Sequence, residues 1–361
     1  MMPLSNLTKN ALAACCTAAL LVSCASTAQT VRQPGRTPAE IRSRIQRTID
    51  DADLAGASIG VNVVYLKTGE PLFQSAQDHL LIPASNTKLL TAVGALKALG
   101  SDFRFTTDVL LDSSFVVVAD TLVSNIYIRG GGDPELDSKA LQAMASQLAR
   151  FGTSHIKGDI VADESWFDDV RLGPGWMWDD VQYDYSAQIS ALSINRNAVM
   201  VAAAPGDTAG APVRISFDPA TSYIDPEVTA VTVSPDTPDS LRIPLRIHRR
   251  WRERSNVISV TGQLPADADT VKVVRSVEAP GLYAATLMKE QLSELGISIS
   301  GSVRLGETAS TAVNVARHNS DPLPSALAFM LKDSDNLASE LLIKTMGAHV
   351  DGPPGSIASG L

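Results

Sequence analysis

Two serines in the chain stand three residues ahead of a lysine: Ser85 with Lys88 in LIPASNTKLLTA, and Ser154 with Lys157 in SHIKGDIVAD. A serine hydroxyl is a poor nucleophile at neutral pH unless a base lies beside it, and lysine serves when burial lowers its pKa. Residues three apart share a face only in a helix. SHIKGDIVAD reads as a turn entering a strand, which splays Ser154 and Lys157 apart. Pro83 disfavours helix in the residue before it, so a helix starts near Ser85 and carries Lys88 one turn along, beside the hydroxyl. The helix N-terminus would also aim N–H groups at a developing oxyanion. The plain alternative is a capping serine followed by an exposed lysine.

Other chemistry is less well supported. The five histidines, at 79, 155, 248, 318 and 349, are scattered, so no metal site is expected, and no cofactor. Gly56-Ala57-Ser58-Ile59-Gly60 matches a nucleophile elbow in letters, but a helix precedes it and a strand follows, the reverse of what that motif needs; Ser58 reads as a strand residue. Gly130-Gly131-Gly132-Asp133-Pro134 lacks the lysine or glycine spacing of a phosphate loop and reads as a tight turn. The basic run Arg246 to Arg254 reads as an exposed strand and turn.

The elements that must position these residues follow from pattern. Thr37-Pro38-Ala39-Glu40 is a capping box opening a helix to about Ala52. ASIGVNVVYL reads as a buried strand, Lys67 to Glu70 as a turn and PLFQS as the returning strand. The helix after Ser85 ends at Gly100. Short strands follow from about residue 105, with helices over 138–150 and 282–296, and residues 199–275 are strand-like throughout. Near the end DPLPSALAFMLKD and NLASELLIKTMG are amphipathic helices, with Ser334-Asp335-Asn336 at their junction. Helix-rich ends around a strand-rich middle suggest an insertion within a first domain.

The chain has 361 residues, 45% hydrophobic and 19% charged, with a net charge of −9, which argues against a general nucleic-acid binder. All three cysteines, Cys15, Cys16 and Cys24, lie near the N-terminus. There a short apolar run ends in Leu21-Val22-Ser23-Cys24, a secretory pattern that resembles a bacterial lipobox. That resemblance implies removal of residues 1–23 and lipidation of Cys24; ordinary cleavage nearby is the alternative. Residues 24–36 then read as a tether, and the body after Cys24 has no cysteine with which to form a disulfide.

Ser-x-x-Lys at 85–88 followed by Ser-x-Asn at 334–336 is the motif order of penicillin-binding proteins and serine β-lactamases. With GGGDPEL at 130–136, GPGWMWDD at 173–180 and SALSINRN at 190–197, the chain resembles the D-alanyl-D-alanine carboxypeptidase/endopeptidase family of low-molecular-mass penicillin-binding proteins. The stretch between Ser85 and Ser334 suits that family's large insertion and is too long for a compact β-lactamase. The resemblance implies an α+β fold, a β-lactamase/transpeptidase-like domain interrupted by a β-rich insertion. The expected parts are 37–108 and 318–361 for that domain and 109–317 for the insertion, with a second inserted unit nested near 206–277. It further implies that Ser85 is acylated by D-Ala-D-Ala stem peptides of peptidoglycan, or by β-lactams as inhibitors. Lys88 would take the serine proton, Ser334 would relay a proton to the leaving group, and Asn336 would hold the substrate amide and Lys88. An exported protein on the periplasmic side of the envelope is expected, lipid-anchored, with the outer membrane the expected site.

Three of the four tryptophans, Trp166, Trp176 and Trp178, cluster with Tyr183 and Tyr185. We expect Trp178 and Tyr185 to contact substrate, against the alternative that the cluster only packs. Ser193-Ile194-Asn195, a second Ser-x-Asn, reads as structural strand. The family's third motif, Lys-Thr-Gly, belongs well downstream of Ser-x-Asn, yet the chain stops at Leu361; Lys67-Thr68-Gly69 is an upstream turn, and Lys344-Thr345 lies in a helix without the glycine. The expectation is therefore a C-terminally incomplete member, weakly active or inactive by itself, with a natural truncation as the alternative. A non-catalytic peptidoglycan-binding envelope lipoprotein and a serine β-lactamase are the other readings.

Overall fold

The computed structural model describes residues 37–51 and 56–361 in two units, one ending at Ile82 and one beginning at Pro83. The expectations for the signal segment 1–23, Cys24 and the tether 24–36 lie outside the described residues.

In the first unit, helix α1 (Pro38–Asp51) opens with the expected capping box: the Glu40 carboxylate accepts from the Thr37 N–H at 2.7 Å and the Thr37 hydroxyl from the Glu40 N–H at 3.3 Å. Strands Val61–Val64 and Pro71–Ser75 form an antiparallel hairpin. The first strand corrects the sequence reading. It is four residues long and alternates half-buried with exposed positions, because Val61 and Val63 face one side and Asn62 and Val64 the other. Ser58 precedes it, exposed and in no regular element.

The second unit holds the long-range architecture. A five-stranded sheet runs in the order Val303–Leu305, Ile160–Asp163, Ile126–Gly130, Thr106–Leu111, Val313–Asn319, its first three strands parallel and the rest antiparallel. A four-stranded sheet and helices α3 (Ser138–Ala149) and α4 (Pro280–Glu294) accompany it, and three smaller sheets are built from residues 198–276. One apolar core draws on residues from Val109 to Ala316. A separate core joins α2 (Lys88–Ala98) and Phe105 to α5 (Leu323–Asp333) and α6 (Asn336–Asp351). A third cluster seats Phe167, Ala187, Ile189 and Ala191 on Leu337 and Leu341 of α6, with Trp166 and Trp176 packed against it. Thus α6 touches two cores, and its N-terminus is held from both sides.

The glycine run ends a strand and opens a loop. A Cβ on Gly130 would meet the Ala191 carbonyl oxygen at 2.2 Å, so the backbones of 130 and 191 approach as only glycine allows. Gly132 has φ +80°, and a Cβ there would press on the Phe167 ring at 2.5 Å. The basic run departs from the sequence reading. Strand Arg246–Arg249 alternates outward and inward, so Arg249 is fully buried, donating to the carbonyls of Val181 at 2.7 Å and Ser255 at 3.2 Å and pairing with Glu278 at 3.2 Å. Among the described residues no helix is long and apolar enough to cross a membrane, and no cluster of His, Cys, Asp and Glu is grouped to hold a metal.

Candidate active site

Ser85 sits in a single 3-10 turn, Ala84–Thr87, that leads directly into α2. The α-helix therefore starts three residues later than a helix opening at Ser85 would. The tighter turn serves the pair well, since residues i and i+3 eclipse in a 3-10 helix. Lys88 Nζ donates to Ser85 Oγ at 3.2 Å. Ser85 is exposed, whereas Lys88 is only 6% exposed. The capping alternative does not describe this serine: no side chain caps the 3-10 turn or α2, and the hydroxyl is bonded to the lysine. Ala84 just before it has φ 45°, a left-handed conformation that alanine adopts only under constraint.

The second element comes from the α5–α6 junction. Ser334 closes α5 in the left-handed conformation (φ 55°, ψ 38°), the place where a helix most often uses glycine. The next N–H, of Asp335, donates to the Met330 carbonyl at 3.0 Å. Asp335 then caps α6, one carboxylate oxygen accepting from the Ala338 N–H at 2.7 Å. Asn336 is thereby fixed as the first residue of α6. Its Oδ1 accepts from Lys88 Nζ at 2.6 Å, and its Nδ2 donates to the Tyr185 carbonyl at 2.9 Å. The structure brings together Ser85, Lys88, Asn336 and the Tyr185 backbone. Ser334 is exposed at the junction, and among the described residues its hydroxyl makes no hydrogen bond.

Burial lowers the Lys88 pKa from its ordinary 10.5, opposed by the charges of Asp335 and Glu340. Glu340, one turn along α6 from Asn336, is itself raised by burial against the pull of Lys344 and Lys88. A buried lysine that shares its proton between a serine and an amide oxygen is suited to exchange a proton with that serine.

The tryptophan cluster divides. Trp166 and Trp176 pack against the Phe167 cluster, so for them packing is the role seen. Trp178 is 63% exposed, tilted against Trp251 with Arg252 over both rings. Tyr185 is 47% exposed, stacks on Tyr183 and donates its hydroxyl to Asp180 at 3.0 Å. Ser154 lies beside strand His155–Lys157 and bonds Asp120 rather than Lys157. Lys344 is buried in α6, paired with Asp168 and donating to the Val170 carbonyl at 2.6 Å. A cavity of about 720 Å³ beside Arg104, Asp108, Arg129 and Arg317 holds no serine–lysine pair, and two of its arginines are committed to Asp108.

The Ser193-Ile194-Asn195 stretch is a turn rather than the expected strand. Asn195, Arg196 and Asn197 have φ of 49°, 59° and 52° in succession. The asparagines hold it: Asn195 accepts from the Ser138 N–H at 3.1 Å, and Asn197 donates to the Gln188 carbonyl and to Ser193 Oγ, both at 2.8 Å. Arg196 Nη2 meets the free carboxylate oxygen of Asp335 at 2.6 Å. Sequence reasoning missed Arg196 and Glu340; only the four-residue spacing of Glu340 from Asn336 hinted at the latter.

The fold is a mixed helix and strand arrangement of the transpeptidase-like class. It resembles the crystal structure of penicillin binding protein 4 (dacB) from Haemophilus influenzae at TM-score 0.70 and 26% identity, over 83% of this chain and 65% of that one. The chain belongs to the D-Ala-D-Ala carboxypeptidase 3 (S13) family, whose model matches residues 41–361. It is similar to a D-alanyl-D-alanine carboxypeptidase of Actinomadura sp. (strain R39), 35% identical over 87% of this chain and 58% of that protein. It is also similar to the D-alanyl-D-alanine carboxypeptidase DacB of Haemophilus influenzae, 26% identical over 84% of this chain and 62% of the relative. The chain thus spans about three fifths of the length of these relatives.

Proposed function

We propose that the whole protein is a serine D-alanyl-D-alanine carboxypeptidase/endopeptidase acting on peptidoglycan stem peptides through an acyl-enzyme on Ser85, and that β-lactams inhibit it. The observation that carries this reading is Lys88 Nζ lying 3.2 Å from Ser85 Oγ and 2.6 Å from Asn336 Oδ1, in a chain of the S13 family.

In this reading Ser85 Oγ attacks the carbonyl between the terminal D-alanines as neutral Lys88 takes its proton. The tetrahedral species collapses with cleavage of the C–N bond. The leaving amine receives the proton from Lys88 by way of the exposed Ser334 hydroxyl. Water then adds to the ester, its proton passing to Lys88; the acyl C–O bond to Ser85 breaks as Lys88 returns that proton to Oγ, which releases the acid and restores the neutral Ser85–Lys88 pair. Asn336 holds the lysine head in place and presents its amide to the substrate. Tyr185, whose carbonyl anchors Asn336, and the exposed Trp178 belong to the substrate groove.

The assignment of residues 109–317 to a β-rich insertion is supported by an apolar core drawn from Val109 to Ala316 beside a second one uniting α2, α5 and α6, whereas the nested unit near 206–277 rests on the strand-like sequence of that stretch. Residues 37–108 and 318–361 are then the parts of the transpeptidase-like domain. An envelope location on the periplasmic side follows from a peptidoglycan substrate. Lipid anchoring at Cys24, with cleavage after residue 23, rests on the sequence pattern.

The test is intact-mass analysis of the full-length protein after incubation with benzylpenicillin. One adduct per chain is expected on Ser85, absent in Ser85→Ala. A folded protein that takes no adduct sinks the reading, and rapid loss of the adduct with turnover favours a β-lactamase.

A further inference from the structure

We infer that Arg196 is a positioning residue of the acyl-transfer site, bracing the α5–α6 junction so that Asn336 stays against Lys88. The inference rests on the function proposed above and assigns a task to a turn that the mechanism leaves unused.

Three consecutive non-glycine residues in the left-handed region are costly, and such backbone persists where its surroundings hold it. Here the holding contacts come from Ser138, Gln188, Ser193 and Leu136, and the residue they present at the centre is Arg196. Its guanidinium makes two contacts on the far side of the junction. It lies 5.3 Å from the centre of the Phe329 ring on α5, and it meets Asp335 at 2.6 Å. Phe329 and Asp335 flank Ser334, so one side chain grips both helices across the left-handed residue that joins them.

The grip bears on chemistry by two routes. Geometrically, Asp335 uses one oxygen for the α6 N-terminus and the other for Arg196, which fixes where α6 begins and therefore where Asn336 points. Electrostatically, the charged groups facing Lys88 are Asp335 and Glu340, both of which favour its ammonium form. Arg196 offsets the first of these; Lys344 acts on the second. Asp137, Asp184 and Asp218 line the same cavity as Arg196, together with Lys139. Removing the guanidinium leaves the Asp335 carboxylate unopposed, and Lys88 then holds its proton to higher pH.

The experiment measures the acylation rate of Ser85 by a fluorescent penicillin from pH 5 to 10, with the labelled fraction read by intact mass. It uses full-length wild type, Arg196→Ala, Arg196→Lys, Asp335→Asn and the Arg196→Ala/Asp335→Asn double variant. Arg196→Ala is expected to slow acylation near pH 7 about 10- to 100-fold, the scale of cost for misplacing a group that positions the reaction once this ion pair is lost. Its acid limb should move up by about one pH unit. Arg196→Lys should restore the limb and part of the rate. In the Asp335→Asn background, where the cap oxygen remains and the charge is gone, losing Arg196 should leave the limb in place.

A purely structural arginine would lower the labelled fraction yet leave rate and limb unchanged among molecules that do label. That result, or an Arg196→Ala rate within twofold of wild type, overturns the inference. Should Arg196→Ala not fold, Arg196→Gln takes its place, and an unmoved limb in that variant overturns it equally. Failure of the wild type to label on Ser85 fells the proposed function itself, whereas a labelled wild type beside an unaffected variant fells the Arg196 inference alone.

Discussion

In the proposed mechanism Lys88 takes the serine proton only when it is neutral, and its surroundings pull both ways. Burial lowers its pKa; Asp335 and Glu340 raise it. The fraction of neutral Lys88 grows with pH, so acylation of Ser85 should rise along an acid limb whose midpoint lies below the ordinary lysine value of 10.5. Glu340→Gln removes one of the carboxylates that favour the ammonium, so the limb is expected at lower pH than in wild type. A limb that stays put or moves up would show that the carboxylate does not act on Lys88. Lys88→Met keeps the volume and deletes the base, and acylation should fall about 100- to 10,000-fold with the fold retained, as read by rate and circular dichroism. Ser85 and Lys88 were legible in the sequence because their relation is local, three residues apart at a proline-marked start. Asn336 was legible through a second short motif. Arg196 was not, since its contacts with Phe329 and Asp335 depend on tertiary packing that no spacing encodes; for Glu340 the four-residue step from Asn336 was the sole hint, and its approach to Lys88 is set by tertiary packing.

Between the motifs stand elements whose ends matter more than their middles. Helix periodicity placed α3, α4 and α5 within about two residues of where they lie, because an apolar stripe at 3.6-residue spacing reads directly; α6 starts where expected but runs past Gly347 to Asp351. Their junctions were harder. A serine at a left-handed C-cap carries no glycine signal, and three left-handed residues at 195–197 look like strand when read for hydropathy alone. Capping can be tested by stability alone. Asp137 accepts from the Lys139 N–H at 3.1 Å and the Ala140 N–H at 2.9 Å at the start of α3. Asp137→Ala should lower stability by about 1 kcal/mol, seen as a lower urea midpoint with unchanged slope. Arg249 tests the opposite kind of element. The strand's two-residue period turns it inward with Ile247, although its neighbours Arg246 and His248 are exposed. Arg249→Ala strands Glu278 and the Val181 and Ser255 carbonyls, and should cost about 3–5 kcal/mol by the same measurement. A loss under 1 kcal/mol would mean that water replaces the arginine at little cost.

Across the second unit the strand order was hidden from the sequence. Val303–Leu305 pairs in parallel with Ile160–Asp163, and Val313–Asn319 runs against Thr106–Leu111, partners set by the whole chain path rather than by local pattern. One ion pair ties that path together and has a pH signature. His318, near the end of the edge strand, faces the buried Asp133 of the glycine loop at 3.4 Å. The bond to Asp133 raises the histidine pKa above 6.5, burial opposes the rise, and Asp137 and Asp321 add to it. The loop continues to Glu135, which accepts from Ser325 of α5 at 3.1 Å, so the pair sits between the large sheet and the helices that carry Ser334 and Asn336. A histidine whose folded pKa is raised binds its proton more tightly in the native state than in the unfolded one. Its stabilisation is fully present below about pH 6.5 and is lost as pH rises through the folded value. His318→Gln keeps a polar side chain and removes the titration. Urea unfolding of wild type and variant from pH 5.5 to 9 should therefore show the wild type more stable at the acid end, with the gap closing as pH rises. A gap that is constant, or that widens with pH, would mean that His318 contributes by packing and that its charge does not join the sheet to the glycine loop.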